Sequence, residues 1–290
     1  MTETPSSAST VYFTKAITPA GLRAAYDALK WTPTGKVAVK LSTGEEGNPN
    51  YLQPALIKDL VHHVDGTIVE CNTAYGGARS TTESHYKVAA DHGFTEIADV
   101  DIMDADGQVE LPVPNGSVLS VDRVGSHALN YDSYLVLTHF KGHPMGGFGG
   151  ALKNISIGMA SAEGKMWQHS GGKNNESWDG DDDFRRAMAE AASAVAAHWG
   201  DRMVYVSVMN NMSVDCDCAG EPAPVDMADI GILASTDPVA LDQACIDLVW
   251  AADDNASMKE RVESRHGLIT IDHAAEIGVG SKEYTLVNLD

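Results

Sequence analysis

The order of the apolar segments limits this chain more than any other feature. Short runs rich in β-branched and aromatic residues alternate with segments that repeat apolar side chains at helical spacing, and that alternation marks a largely parallel sheet covered by helices. The runs are TVYFTK near residue 10, KVAVKL at 36–41, TIVEC at 67–71, SYLVLTHF at 133–140, MVYVSVMN at 203–210 and DIGILAS at 229–235. Leu, Ala and Val at helical spacing predict helices over 18–30, 53–64, 80–92, 182–199 and 238–252. Asp237 before Pro238 fixes the start of the last one, with a capping carboxylate ahead of a proline at the first helical position. The fold class that follows is α/β, a mainly parallel (mixed) sheet with helices on both faces. Residues 104–126 read as an excursion with a short hairpin (VELPV, then SVLSV), and residues 170–183 as a polar loop. Residues 1–10, MTETPSSAST, read as a flexible tail, and residues 11–290 as one α/β domain or two intimately packed halves.

Charge and length exclude several functions. A chain of 290 residues that is 43% hydrophobic can bury a large core. Its formal net charge of -21 repels polyanions, which argues against nucleic acid and against an anionic membrane surface. The start of the chain has neither the basic residues nor the apolar stretch of a secretory signal, and no apolar run approaches the ~20 residues of a membrane helix. The expected location is the cytoplasm. There, four cysteines are thiols available for packing, redox work or metal rather than a disulfide framework.

In open parallel sheets ligands bind beyond the carboxyl ends of the strands. Here those ends carry chemistry. KVAVKL ends in Lys40; TIVE runs into Cys71, Asn72 and, after TAYGG, Arg79; YLVLT runs into His139, Lys141 and His143; VYVSVM runs into Asn210 and then DCDC. The loops at the other ends, WTPTG, HVDG and HWGD, are ordinary turns. Cys216 and Cys218 lie in an irregular loop where both can reach one ion, and Cys71 completes a set of three thiolates. The fourth position is then left to His139, His143, substrate or water. Cys245 lies on an apolar helical face with Leu241 and Leu248 and belongs to the core. His139 and His143 are four residues apart, but Gly142 and Pro144 put them in a loop. The run MGGFGGALKN sets the Gly146–Gly150 backbone before a helix start. Its free N–H groups, with Lys153 and Asn154, either cradle a phosphate or carboxylate or serve close packing. Neither this run nor GMASAEGKM at 158–166 fits a phosphate loop. His62 and His63, at a helix end, are helix-terminal residues rather than ligands.

Taken together, GKVAVKLSTGEEGNPNYLQP, GTIVECNTAYGGAR, THFKGHPMGGFGGALKNISIG, NNMSVDCDC and DIGILASTDPVALDQACIDLV resemble the domain-of-unknown-function 362 family, often labelled uncharacterised iron-sulfur centre proteins. The resemblance begins near residue 10, and its most specific pieces are HFKGH to ALKN and DCDC to DPVALDQA. It implies no reaction. Many relatives add a ferredoxin-like module with two tetranuclear cluster motifs. This sequence has none, so a cluster would rest on Cys71, Cys216 and Cys218 alone. The leading expectation is a metalloprotein enzyme in which these thiolates hold an iron-sulfur cluster or a single zinc or iron ion, next to an anion-binding cleft. In that reading Lys40, Asn72, Arg79, Lys153, Asn154 and Asn210 bind a small anionic molecule, and His139, Lys141 and His143 are catalytic. The alternative is a metal-free enzyme or binding protein for a phosphorylated or carboxylated metabolite, with His139 or His143 as proton carrier. A third class, a redox partner or scaffold for another protein, would use the acidic surface, and the partners expected besides the small anion are a second copy in a homo-oligomer or a redox partner protein.

Overall fold

The computed structural model describes residues 8–290, so most of the expected tail lies outside the described residues. The first strand already begins at Ser9, inside that tail. In chain order the elements are β1 (Ser9–Thr14), α1 (Pro19–Ala28), β2 (Val37–Lys40), α2 (Pro54–His63), β3 (Gly66–Glu70), α3 (Thr82–Asp91) and β4 (Val100–Ile102). Then come β5 (Gln108–Pro112), β6 (Val121–Gly125), β7 (Ser133–His139), β8 (Lys141–His143), β9 (Gly147–Gly149), α4 (Ala151–Ile155), α5 (Ala162–His169) and α6 (Asp182–Trp199). The chain ends with β10 (Met203–Met209), β11 (Gly231–Ser235), α7 (Pro238–Ala251), α8 (Ala256–Ser264), α9 (Leu268–Glu276) and β12 (Tyr284–Asn288).

Eight strands form one mixed sheet in the order β12-β1-β11-β10-β7-β2-β3-β4. Only β11 runs against its neighbours, pairing antiparallel with both β1 and β10. The central strands are continuous apolar runs because both of their faces are covered. Leu135, Leu137, Val204, Val206 and Val208 point to one side, against Leu22 and Tyr26 of α1 and Ile57 and Leu60 of α2. Tyr134, Val136 and Tyr205 point to the other, against Val195 of α6 and Leu241 and Cys245 of α7, so Cys245 is a core residue as expected. At the start of α7, Asp237 accepts hydrogen bonds from the backbone N–H of Val239 (2.8 Å) and Ala240 (3.0 Å), the cap the sequence calls for.

Sequence and structure differ at the excursion. The second hairpin strand is Val121–Gly125, not SVLSV, because Glu190 draws the preceding segment into a loop. Its carboxylate accepts from the backbone N–H of Ser117 (2.7 Å), Val118 (3.0 Å) and Leu119 (2.6 Å), which leaves those groups unavailable for a ladder.

The order of connections sets the place of the site. From β2 the chain steps outward to β3 and β4, whereas from β7 it steps the other way to β10. The two crossovers diverge between β2 and β7, and the carboxyl ends of these neighbours open a crevice there.

Candidate functional site

A cavity of about 350 Å³ occupies that crevice. Lys40, Glu70, Cys71 and Thr138 line it from the ends of β2, β3 and β7. Lys141 and His143 come from the short hairpin β8–β9, and Cys216 and Cys218 from the loop after β10. That loop is held by close approach of chain on chain. Gly142 donates to the Ser213 carbonyl (2.8 Å), and a Cβ at Gly142 would stand 2.2 Å from the Val214 carbonyl oxygen. Arg261 donates to Val214 O (2.6 Å), and the Glu45 N–H donates to Asp217 O (2.7 Å).

The donor atoms of His143, Cys216 and Cys218 all lie within 4.8 Å of one another. The Cys216 thiol is held well below its ordinary range, chiefly by a hydrogen bond from Cys218 and also by Lys153 and His143, all acting against burial. Cys218 is correspondingly raised. His143 Nδ1 accepts the backbone N–H of Met145 (3.2 Å) and Gly146 (2.9 Å), so Nε2 is the nitrogen left for the sulfurs. Burial, with Lys153 beside it, lowers His143 to about 4. His143, rather than Cys71, is thus the third donor of the group. Cys71 lines the same cavity, but its thiol donates to Met159 O (3.3 Å), and burial pushes it up to about 12.

The charged groups fall into two sets. Along one wall, Arg79 donates to Glu70 (2.9 Å) and lies 3.5 Å from Glu45, while His85 Nε2 (2.6 Å) and Thr43 (2.6 Å) donate to the second Glu70 oxygen. Burial alone would raise Glu70, yet Arg79 and His85 outweigh it and hold the carboxyl well below its usual range. Lys141 is paired too, 2.8 Å from Asp217. The same carboxylate takes His139 Nδ1 (2.8 Å), and His139 Nε2 donates to Asn210 O (2.6 Å). Both partners accept, so both ring nitrogens donate and neither is free to carry a proton to a ligand. On the other wall, Lys40, Lys153 and Lys165 form no ion pair among the described residues.

The strand-end expectation therefore brings Lys40, Cys71, Arg79, Lys141, His143, Lys153, Asn154, Cys216 and Cys218 to one cavity. His139, Asn72 and Asn210 stand behind it. Asn72 is spent on Asp104, Thr82 and His85. Asn154 lines the cavity, but its amide ties Lys40 to Leu137 and Thr138. The glycine run serves packing. The first N–H groups of α4, on Ala151 (2.7 Å) and Leu152 (3.0 Å), are taken by Asp242, and a Cβ at Gly150 would lie 2.4 Å from that carboxylate. Sequence reasoning missed Glu70, Lys165 and His169. Glu70 lies inside the predicted strand TIVEC and is the last residue of β3. Lys165 and His169 share one face of α5, four residues apart, in a segment too polar to read as a buried helix.

A family model described as Domain of unknown function (DUF362) matches residues 37–247. No curated protein matches the chain. Among solved structures, the lactate racemase apoprotein from Thermoanaerobacterium thermosaccharolyticum aligns at 11% identity and a TM-score of 0.45, over 83% of this chain and 57% of that one. A protein from Thermotoga maritima aligns at 13% identity and a TM-score of 0.42, over 89% of this chain and 58% of that one. The chain thus spans a little over half the length of either structure.

Proposed function

The chain belongs to the DUF362 family, whose description names no reaction, and from the cavity we propose that it is an enzyme acting on a small carboxylated or phosphorylated molecule beside a single soft metal ion. One observation carries the reading: two thiols and an imidazole lie within 4.8 Å of one another, in a cavity whose other wall holds three lysine side chains without carboxylate partners among the described residues.

The donor set fits one ion and does not fit a cluster. A cluster needs thiolates at about four positions. Only Cys216 and Cys218 are adjacent here, and Cys71 is a protonated thiol bonded elsewhere. Two thiolates and one nitrogen leave an open position, the arrangement of catalytic rather than structural zinc. His143 is the weakest of the three. A metal-bound histidine ordinarily donates its other N–H, whereas this Nδ1 accepts two, so ligation through Nε2 would require the ring proton to move to Nδ1 and the two hydrogen bonds accepted there to be given up. Such an ion would supply a Lewis acid to a bound oxygen. Lys153 and Lys165 would hold the substrate's negative charge, and the Lys141–Asp217–His139 triad fixes the loop that carries both cysteines.

Anaerobic purification with elemental analysis tests the metal, and titration with zinc and then inorganic phosphate tests the pair of sites. Stoichiometric zinc or iron, lost on replacing Cys216 and Cys218 by Ser and kept in Cys71→Ser, is the expected result. The accepting Nδ1 of His143 favours one alternative, a metal-free enzyme using the Cys216 thiolate. Absent metal together with fast, selective alkylation of Cys216 would establish it in place of the ion.

A further inference from the structure

Lys40 is 1% exposed, ends β2 inside the cavity, and has no carboxylate partner among the described residues. Its Nζ makes two hydrogen bonds and donates in both, to Leu41 O (2.7 Å) and to Asn154 Oδ1 (3.0 Å). The Asn154 amide has no freedom to turn. Its Nδ2 donates to Lys40 O (3.3 Å), Leu137 O (3.3 Å) and Thr138 Oγ1 (3.0 Å), so its oxygen must face the amine. The demand on Nζ is therefore two protons, the number a neutral amine carries. A third has no protein acceptor, and losing it leaves the lone pair in the remaining tetrahedral direction. The space beside the nitrogen is kept clear by Gly158, where a Cβ would stand 2.9 Å from Nζ.

The surroundings favour the neutral form as well. Burial lowers Lys40 to about 8, with Lys165 and Arg79 acting the same way and Glu70 and Cys71 opposing. A desolvated lysine next to other cations is the setting in which an amine becomes a nucleophile toward carbonyl carbon.

We infer that Lys40 forms an imine with a small 2-oxo acid in this cavity, the acid's carboxylate being held by Lys153 and Lys165. The Nζ lone pair attacks the carbonyl carbon, and the π pair moves to the oxygen, which takes up a proton as the nitrogen gives one up. The resulting hydroxyl leaves as water with a second proton, and the nitrogen closes the C=N bond. No electrons pass to an outside acceptor. A protonated imine keeps one N–H for Leu41 or Asn154, so the bond forms without dismantling the cradle. The carboxylate part of this inference rests on the anion reading of the cavity; the amine chemistry needs no metal.

The test is reductive trapping. Wild-type protein, both as purified and after EDTA treatment, is incubated with pyruvate and cyanoborohydride, and the modified lysine is located by peptide mass mapping. We expect the reduced pyruvate adduct on Lys40, at least ~10-fold faster than on any other lysine and ~10-fold faster than acetaldehyde at equal concentration. Inorganic phosphate should slow the pyruvate reaction, and Lys40→Arg should abolish it. Unmodified Lys40, or a Lys40 that reacts as fast with acetaldehyde as with pyruvate, overturns the inference. The mapping uses wild-type protein, so it decides even if Lys40→Arg does not fold. Trapping in protein that elemental analysis shows to be metal-free would leave the imine standing while the metal reading fails.

Discussion

The two walls of the cavity hold buried charge in opposite ways. On the Arg79 wall every ionised group has a partner: Glu45 and Glu70 take Arg79, and Glu70 also takes His85 and Thr43. On the lysine wall Lys40 and Lys165 donate only to carbonyl and amide oxygens. A closed network satisfies itself and holds β2, β3 and the 72–81 loop together. An open set of cations carries an unmet demand for negative charge, which only a ligand can meet. Burial of charge is architecture on one side, and on the other it is the feature from which the proposed binding site is read.

The largest effect should come from opening the closed wall. Arg79→Met leaves Glu70 and Glu45 buried without their common cation, and removing one partner of a buried pair costs about 3–5 kcal/mol. Urea unfolding should show that loss, whereas Lys40→Met and Lys165→Met should be at least as stable as wild type. Equal destabilisation by all three variants would erase the distinction between the walls.

The metal group should respond next. Replacing Cys216 by Ser is expected to weaken zinc binding on the order of 100-fold, and His143→Ala about 10-fold, because His143 binds only by giving up the two hydrogen bonds its Nδ1 accepts. Cys71→Ser, on a thiol that donates to Met159 instead, should leave affinity unchanged in the same competition assay. Equal losses at Cys71 and Cys216 would restore a three-thiolate site.

How far the sequence reveals these walls depends on what each residue packs against. The strands KVAVKL, SYLVLTHF and MVYVSVMN are legible because burial on both faces forces continuous apolar runs. The two three-residue strands β8 and β9 are not, since KGH and GFG carry no alternation and are held by packing against α8. α5 is hidden for another reason: its Lys165, Gln168 and His169 are buried polar residues, so its inward face imitates a surface. In the site, the strand-end rule finds Lys40, Cys71, Lys141 and Cys216. It cannot say that Asp217 occupies His139, or that Asp242 takes the N–H of Ala151 just after the glycine run, because those partners are 78 and 91 residues away.

A smaller change separates the lysines by role. Lys153→Ala removes an unpaired ammonium at the cavity wall and should weaken phosphate binding about 10-fold, or 1.4 kcal/mol. Lys141→Ala should instead loosen the cysteine loop, lowering metal affinity, with phosphate affected only through it. Calorimetric titration of each variant with zinc and with phosphate separates the two outcomes.

The most gradual effect, and the one that reads the walls most directly, is their response to pH. Glu70 lies well below the ordinary glutamate value of 4.5 in the folded chain, so as pH falls the unfolded chain binds its proton first. The stability this carboxylate contributes is present above 4.5 and is lost as pH falls through the folded value. Lys40 has the opposite sign. Its folded value is about 8 against 10.5 unfolded, so between those limits the unfolded chain holds a proton that the folded chain has released. Stability should therefore rise with pH from about 8 to 10.5, by at most roughly 1 kcal/mol per unit from this group. Below 8 both states are protonated, and the slope from Lys40 vanishes. Denaturation curves across pH should show the alkaline rise in wild type and its reduction in Lys40→Met, where the similarly lowered Lys165 keeps the remainder, while Glu70→Gln reduces the acid-side slope and leaves the alkaline one. Inorganic phosphate, which has no carbonyl carbon to attack, would supply countercharge beside Lys40 and move the alkaline rise upward. If Lys40→Met keeps the full rise, the amine titrates as an ordinary lysine, and the open wall is not electrostatically distinct from the closed one.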